Sequence, residues 1–554
     1  MSLPLLAIVV LSALTLGYFL YGRFIASQYR IDDARKCPSE EVNDGQDFVP
    51  TKPFYLLGQH FSAIAAAGPI VGPIAACLAF GWLPCILWIG LGVVFIGAVH
   101  DYSALIASVR HKAMSIAEIV RSNLGRRAWL AILSFIWIAL VYVIVAFADV
   151  TAASFKGNIE DMENMTVTFD KGGAVAFAST AYLLLAIVMG LIQKKWNPPL
   201  WLVTAIFVPA TLGVVWLGTK VSTLLIFSHS TWVIVIMVYC FVASLLPVWL
   251  LLQPRGYLGG FVLYMALAIG VIGIFFGGFK IEQPAFKGWT DPATGDTLFP
   301  FLFVTIACGA CSGFHGLVCS GTTSKQITRE SHCQPVGYGA MLLEAFVALI
   351  ALATVLIVIP KSKTSAGAIY GEGMGLFLTV LIGPKHQMFA TVFGTMVFST
   401  FVFDTLDVAT RLGRYILQEL THRSGNAAAA LATLVMTAVP TVLLLAAGPD
   451  SWKKYWTLFG TSNQLLAALT LLAITVWLKK ENRPYWFTLI PMVFVMAITV
   501  WSLGIQAVTA FRQPIGFRPE TINGVVSLLL AGLSAYLGVE AVRQTVRPPA
   551  PVAG

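Results

Sequence analysis

Apolar runs and short polar connections alternate along this chain from end to end. A helix needs about 20 apolar residues to cross a bilayer, and fifteen runs fit that yardstick. They lie near 3–22, 57–81, 83–110, 128–155, 173–193, 200–218, 231–252 and 257–279. The others lie near 299–321, 336–360, 386–411, 427–447, 455–478, 485–508 and 522–542. The pattern predicts an all-α polytopic membrane protein.

Two of the runs are interrupted. The second, QHFSAIAAAGPIVGPIAACLAFGW, carries Gly68-Pro69 and Gly72-Pro73 at its middle. Proline removes a backbone donor and clashes with the preceding turn, while glycine adds backbone freedom, so the helix should open there. Unpaired backbone groups at membrane depth are tolerated only where they are buried in protein or line a wet cavity. The break therefore points to a binding site for a small polar solute; a simple packing kink is the alternative. The ninth run repeats the feature with Gly309, Gly313, Gly316 and Gly321, where Ser312, Ser320, Thr322 and Thr323 can serve the freed backbone. Seven runs separate the two starts, an odd number, so the broken helices should run in opposite directions. That is the pattern of an inverted-repeat secondary transporter. It divides the chain into a peripheral helix and linker (1–56), a first half (57–279, broken at 57–81), a second half (280–479, broken at 299–321) and peripheral C-terminal helices (480–554).

Composition agrees: 58% of the 554 residues are hydrophobic, 11% are charged, and mean hydropathy is +0.81. The net charge of +9 is not a nucleic-acid signal. With the N-terminus outside and the C-terminus inside, most of the 35 Lys and Arg fall on inner loops, as the positive-inside rule requires. Outer loops 156–172 and 280–298 then hold Glu160, Asp161, Glu163, Asp170, Glu282, Asp291 and Asp296. The longest inner connection, Arg23 to Pro53, is expected to wrap the inner face, and the Pro-rich tail RPPAPVAG to be disordered. The eight cysteines show no secreted disulfide framework, and no phosphate-binding loop G-x-x-x-x-G-K-[ST] is present.

Charged groups inside spans are expensive and are functional candidates by default. His100-Asp101 sits deep in the third run. Adjacent positions on a helix point about 100° apart, so these two are expected to meet different partners. Asp404 and Asp407 share a face of the eleventh run, and Arg411 follows Asp407 at the spacing of an ion pair. Asp404, with no such local partner, and Asp101 are the leading candidates for proton coupling; His100, Asp407 and Glu344 complete the set. For Glu344 and for Asp149 a hydrogen bond to a neighbouring helix is the competing role. His315, inside the second break, can relay protons or hold a carboxylate, and His60 stands at the entrance of the second run.

The segments GQHFSAIAAAGPIVGPIAA, GAVHDYSAL, CSGFHGLVCSGTTSKQI, FDTLDVATRLGRYI and FGTSNQLLAA resemble the signatures of the CstA (carbon starvation protein A) family, from about Lys52 to Lys479. The resemblance implies a bacterial inner-membrane transporter of peptides or pyruvate. It implies proton symport in some members and a five-plus-five inverted repeat of the LeuT type, with its broken helices at the second and ninth runs. The chain looks shorter than the longest members.

A half-helix starting near Gly72-Pro73 presents free N–H groups and the positive end of its dipole to the midplane, which suits a carboxylate. The expected substrate contacts are Gly68, Pro69, Gly72, Pro73, Ser312, Gly313, His315, Thr322 and Thr323. Ser312, Thr322 and Thr323 can instead coordinate Na⁺. Lys325 belongs near the inner surface. A different class of protein is raised by Cys308, Cys311, His315 and Cys319, which fall on roughly one helical face with ligand types suited to zinc. That would mark an intramembrane metal or redox protein; a nutrient sensor is the third alternative. The reading adopted is an ion-coupled transporter, not an enzyme, with no cofactor and with H⁺ as the expected coupling ion. Its partners are a small carboxylate or peptide and the lipid bilayer. No nucleic acid is expected, and the oligomeric state, a homo-oligomer included, stays open.

Overall fold

The computed structural model describes residues 2–44, 47–65, 67–157, 169–359, 364–448, 452–516 and 518–546. Glu160, Asp161, Glu163 and the tail 547–554 lie outside them. Among the described residues the chain is helical throughout, with no β-strand. In order, the longer helices are α1 (Leu3–Gln28), α2 (Pro53–Ile64), α3 (Gly68–Phe80), α4 (Trp82–Arg110), α5 (Ile116–Leu124), α6 (Arg126–Phe155), α7 (Lys171–Trp196) and α8 (Leu200–Lys220). Then follow α9 (His229–Leu245), α10 (Leu252–Phe276), α11 (Leu298–Thr305), α12 (Gly313–Gly321), α13 (Glu330–Leu356) and α14 (Ala366–Ile382). The last are α15 (Gln387–Thr421), α16 (Asn426–Ala447), α17 (Trp452–Lys480), α18 (Trp486–Phe511) and α19 (Pro519–Val546).

Among the described residues 12 helices are long and apolar enough to cross a membrane, and the pair α2–α3, bent by 49°, would be a thirteenth span. The expected seventh run is the shorter helix α9, and the ninth is the broken pair α11–α12. The departure from expectation is α14, an apolar helix where the sequence reading placed a loop. Its Gly367, Gly371 and Gly375 recur every four residues and let the backbone settle onto α15: a Cβ on Gly371 would run into Thr395, and one on Gly375 would lie 2.7 Å from the Thr391 hydroxyl. Small residues at that spacing are how membrane helices approach closely.

Both breaks occur, and they face each other. The first falls between α2, which ends at Ile64, and α3, which starts at Gly68, one turn before the expected start near Gly72-Pro73, so that pair lies inside α3. The second spans residues 306–312. A Cβ on Gly68 would strike Cys308, one on Gly72 would come within 2.5 Å of the Thr305 carbonyl, and one on Gly309 would lie 3.5 Å from Pro69 Cα. Position numbers rise along one segment as they fall along the other, so the two broken helices pass antiparallel at the breaks.

The ends of the pair are equally distinct. Thr51, just before α2, donates its amide to the Gln326 carbonyl at 3.1 Å, whereas Trp82, just after α3, donates to Pro284. One end of the molecule thus gathers residues 29–44, 47–52 and 321–332. The other gathers 280–298.

Candidate functional site

The second break leaves carbonyls behind and amides ahead of it, and neighbouring helices supply their partners. Trp88 Nε1 on α4 donates to the Ile306 carbonyl at 3.3 Å, and Trp456 Nε1 on α17 donates to Thr305 at 3.2 Å. Gln464 Nε2, also on α17, donates to Phe303 at 2.8 Å. Asn463 caps α12: its Oδ1 accepts from the Phe314 amide at 2.9 Å, and its Nδ2 donates to Ser312 Oγ at 3.0 Å. Asn463 and Gln464 belong to the FGTSNQLLAA segment, where composition gave no chemical reason to pick them. Such buried polar side chains on an apolar helix at membrane depth are the signal that identifies them. The N-terminus of α3 differs: its N-cap residue is Ala67, and no side-chain cap is found for it among the described residues.

Beyond Asn463, a polar cluster is sealed in apolar surroundings. His315 on α12 stands between two carboxylates, with Nδ1 2.8 Å from Asp101 Oδ2 on α4 and Nε2 3.0 Å from Glu344 Oε2 on α13. His100 Nδ1 holds the other Asp101 oxygen at 2.7 Å. All four residues are buried, none more than 1% exposed. The expectation that His100 and Asp101 meet different partners is corrected: both project into one pocket, and Asp101 bridges two imidazoles. His100 Nε2 has no hydrogen-bond partner among the described residues. Towards the 321–332 end, His60 Nδ1 meets Thr323 Oγ1 at 2.8 Å, and Cys319 Sγ lies 3.8 Å from His60 Nε2.

Asp404 and Asp407 are elsewhere. Asp407 pairs with Arg255 on α10 and accepts from Tyr239 Oη at 2.7 Å, while Asp404 Oδ1 lies 2.5 Å from Arg255. The expected Asp407–Arg411 pair does not form, because Arg411 reaches instead to the Ala243 and Leu246 carbonyls at 2.9 and 2.8 Å. Asp404 likewise has the partner that the sequence reading did not find. Arg255 falls in the short connection between the seventh and eighth runs, so it reads as a surface residue, yet it is 1% exposed. Two acids on one apolar helix face were the available hint that a buried cation must answer them. Asp149 has the structural partner expected of it, His229 Nε2 at 2.9 Å.

Two candidate ligand sets are not brought together. Ser312 lies at the break beside Asn463, whereas Thr323 is bound to His60 and Thr322 Oγ1 donates back to the Val318 carbonyl at 3.2 Å. They do not form one Na⁺ shell. The cysteine stripe is split in the same way: Cys308 and Cys311 sit in the unwound segment, Cys319 beside His60, and His315 turns to carboxylates. Among the described residues no three His, Cys, Asp or Glu converge on a metal position.

A cavity of about 160 Å³ lies between the C-terminal turns of α3 (Ile74, Leu78), the first half of the second broken helix (Phe301, Thr305), Trp456 and the loop bearing Asp291 and Asp296. It extends from the 280–298 end to the Thr305–Trp456 contact, next to Gly72.

Residues 2–366 and 361–502 match the family described as carbon starvation protein CstA. Peptide transporter CstA of Campylobacter jejuni subsp. jejuni is 32% identical over 573 residues, covering 90% of this chain and 79% of that protein. Pyruvate/proton symporter BtsT of Escherichia coli K12 is 28% identical over 603 residues, covering 91% and 82%. Among solved structures, a manganese transporter of Eremococcus coleocola aligns over 90% of this chain and 97% of that one, at 13% identity and a TM-score of 0.44. A likeness that weak carries no argument about function.

Proposed function

We propose that this chain, which belongs to the carbon starvation protein CstA family, is a proton-coupled secondary transporter of small carboxylate-bearing solutes in a bacterial inner membrane. Its relatives are named as transporters and not as enzymes, and its helices make it a multi-pass membrane protein. The observation that carries the coupling is His315, held between Asp101 and Glu344 on one of two antiparallel broken helices. One imidazolium facing two carboxylates leaves a residual negative charge, and one added proton cancels it. At membrane depth that cancellation removes a cost of several kcal/mol. Protonation and movement of α12 are therefore linked through the same side chains. Proton coupling is favoured over sodium because Ser312, Thr322 and Thr323 do not converge.

The substrate's carboxylate goes to the amide end of α3 at Gly68, a half-helix N-terminus without a side-chain cap among the described residues. The corresponding end of α12 is already taken by Asn463. Gly68, Pro69, Ser312 and Gly313 line the meeting of the two breaks. Gly72 and Pro73 act one turn deeper by letting α3 approach Thr305. Pyruvate and a short peptide both carry the required group, and the names of the relatives cover both. A LeuT-type five-plus-five repeat is the architecture these antiparallel breaks support.

The test uses purified protein in liposomes holding a pH-sensitive dye, with pyruvate or a dipeptide added outside at matched pH. Acidification of the lumen with one substrate is the expected result. Uptake that follows a sodium gradient and never acidifies the lumen would overturn proton coupling.

A further inference from the structure

Residues 29–44 and 47–52 do more than connect α1 to α2: six of them, Asp32, Asp33, Arg35, Ser39, Asp47 and Thr51, are bonded to the segment that follows α12. Ser39 Oγ donates to the Ile327 carbonyl at 2.6 Å, and the Thr51 amide donates to Gln326 at 3.1 Å. Asp33 Oδ1 accepts from the Ser331 amide at 2.9 Å, and Asp47 lies 3.6 Å from Lys325. Glu330, fully buried, accepts from the Asp32 amide at 3.0 Å and pairs with Arg35 at 3.2 Å. From the other side it pairs with Arg110, at the end of α4, at 2.8 Å. Arg110 and Arg483 both donate to the Tyr29 carbonyl, at 2.8 and 2.6 Å. Beneath this layer, His60 of the first broken helix is bonded to Thr323 after the second, and Cys319 is fully buried beside them. The opposite end of the same two broken helices holds the cavity of about 160 Å³.

We propose that residues 32–44 and 47–51 form a strap that locks the 321–332 end of the second broken helix, so that this structure is the state closed at the strap end and open towards the 280–298 loop. Release of substrate at the strap end then requires the strap to let go of residues 325–331 and His60 to part from Thr323. The inference rests on the transporter reading for its purpose, but the geometry it invokes is independent of which ion or solute is carried. Covering a broken helix with polar main-chain bonds suits a gate. Each neutral hydrogen bond has a small net effect and several together set a two-state balance, so removing a few shifts the populations without unfolding either state.

The experiment reads mixed-disulfide formation at the native Cys319 thiol in purified full-length protein by a small methanethiosulfonate reagent, which leaves as methanesulfinate, with labelled peptides resolved by mass spectrometry without reductant. An Ala79→Cys reporter placed in the cavity is read in the same sample. The triple variant Asp33→Ala, Ser39→Ala, Asp47→Ala removes three strap contacts. Cys319 labelling should rise at least about tenfold, the expected scale for the loss of two or three hydrogen bonds, while labelling of the cavity reporter falls. Unchanged Cys319 labelling in a folded triple variant would overturn the strap. So would both reporters rising together, which marks general loosening. If the triple variant does not fold, Asp47→Ala alone, an exposed change, is read by the same pair of reporters. Labelling needs no ion gradient, so a failure of proton coupling and a failure of the strap give different results.

Discussion

Replacing Glu344 with Gln keeps the shape of the side chain and removes its charge, so it tests coupling with little steric change. The carboxylate is fully buried and 3.0 Å from His315 Nε2. Two unit charges at that distance attract by about 5 kcal/mol at an effective dielectric near 20, but His315 keeps Asp101 as its counter-charge, so Glu344→Gln strands no cation and removes the residual negative charge. The lost attraction is offset by the desolvation cost of the buried carboxylate and by the amide oxygen, which can still accept from His315. The variant should therefore fold with stability within roughly 2 kcal/mol of wild type. Its functional signature is sharper. With one proton carried per solute, each pH unit across the membrane supports a tenfold solute gradient, about 1.4 kcal/mol. Wild-type protein in liposomes one unit more acidic outside should accumulate labelled substrate up to about tenfold, whereas Glu344→Gln should stop at equal concentrations. Exchange of labelled for unlabelled substrate should survive in the variant, because binding at the breaks is untouched. A folded Glu344→Gln protein that still reaches the wild-type gradient would refute the assignment of coupling to this cluster.

Other outcomes follow from the same geometry. Gly72→Ala places a methyl 2.5 Å from the Thr305 carbonyl and 3.2 Å from Ile306 Cα, so it should push the broken helices apart and abolish substrate binding; unchanged affinity in a binding titration would move the site elsewhere. Asn463→Ala strips the cap from α12 and should lower substrate affinity and thermal stability together, by about 1–3 kcal/mol of stability for the orphaned amide. An affinity unchanged in the less stable protein would show that α12 does not shape the site. On the strap, burial and then the charge of Glu330 push the Cys37 thiol up to about 12. Maleimide at pH 8 should therefore leave Cys37 unlabelled in folded protein, and rapid labelling would mean that the strap is not packed as described.

The two breaks were legible because glycine and proline leave a chemical mark wherever they interrupt an apolar run, and their antiparallel course followed from counting runs alone. The exact opening was not. Proline at the second position of a helix is compatible with it, so Gly68-Pro69 starts α3 and the second pair, Gly72-Pro73, serves close approach instead. Helix α14 was hidden because its glycines depress apolar character while doing the work of packing. The acidic members of the site were visible as charges in spans, but the partnership of Asp101 with both His100 and His315 joins positions 214 apart in the chain, which spacing on one helix cannot reveal. Arg255 was missed for the opposite reason: it lies near a helix end, where basic residues usually meet water.

Arg255 also decides between the two buried acidic sets. It joins α10 to α15, and through Tyr239 to α9, none of which is broken. A proton arriving there would act on helices with no hinge, whereas one arriving at His315 acts on the half-helix at the break. Asp407 is fully buried and Asp404 is 25% exposed. One guanidinium between two carboxylates leaves one negative charge over, and Asp404→Asn removes it while the Arg255–Asp407 pair and its Tyr239 bond stay. Asp404→Asn should therefore fold and accumulate substrate as wild type does. Arg255→Met leaves two carboxylates facing each other without a cation and should cost roughly 3–5 kcal/mol, read as loss of monodisperse protein on size exclusion. If Asp404→Asn folds but exchanges substrate without accumulating it, the coupling proton resides on α15 and the cluster at His315 serves only to fasten α12.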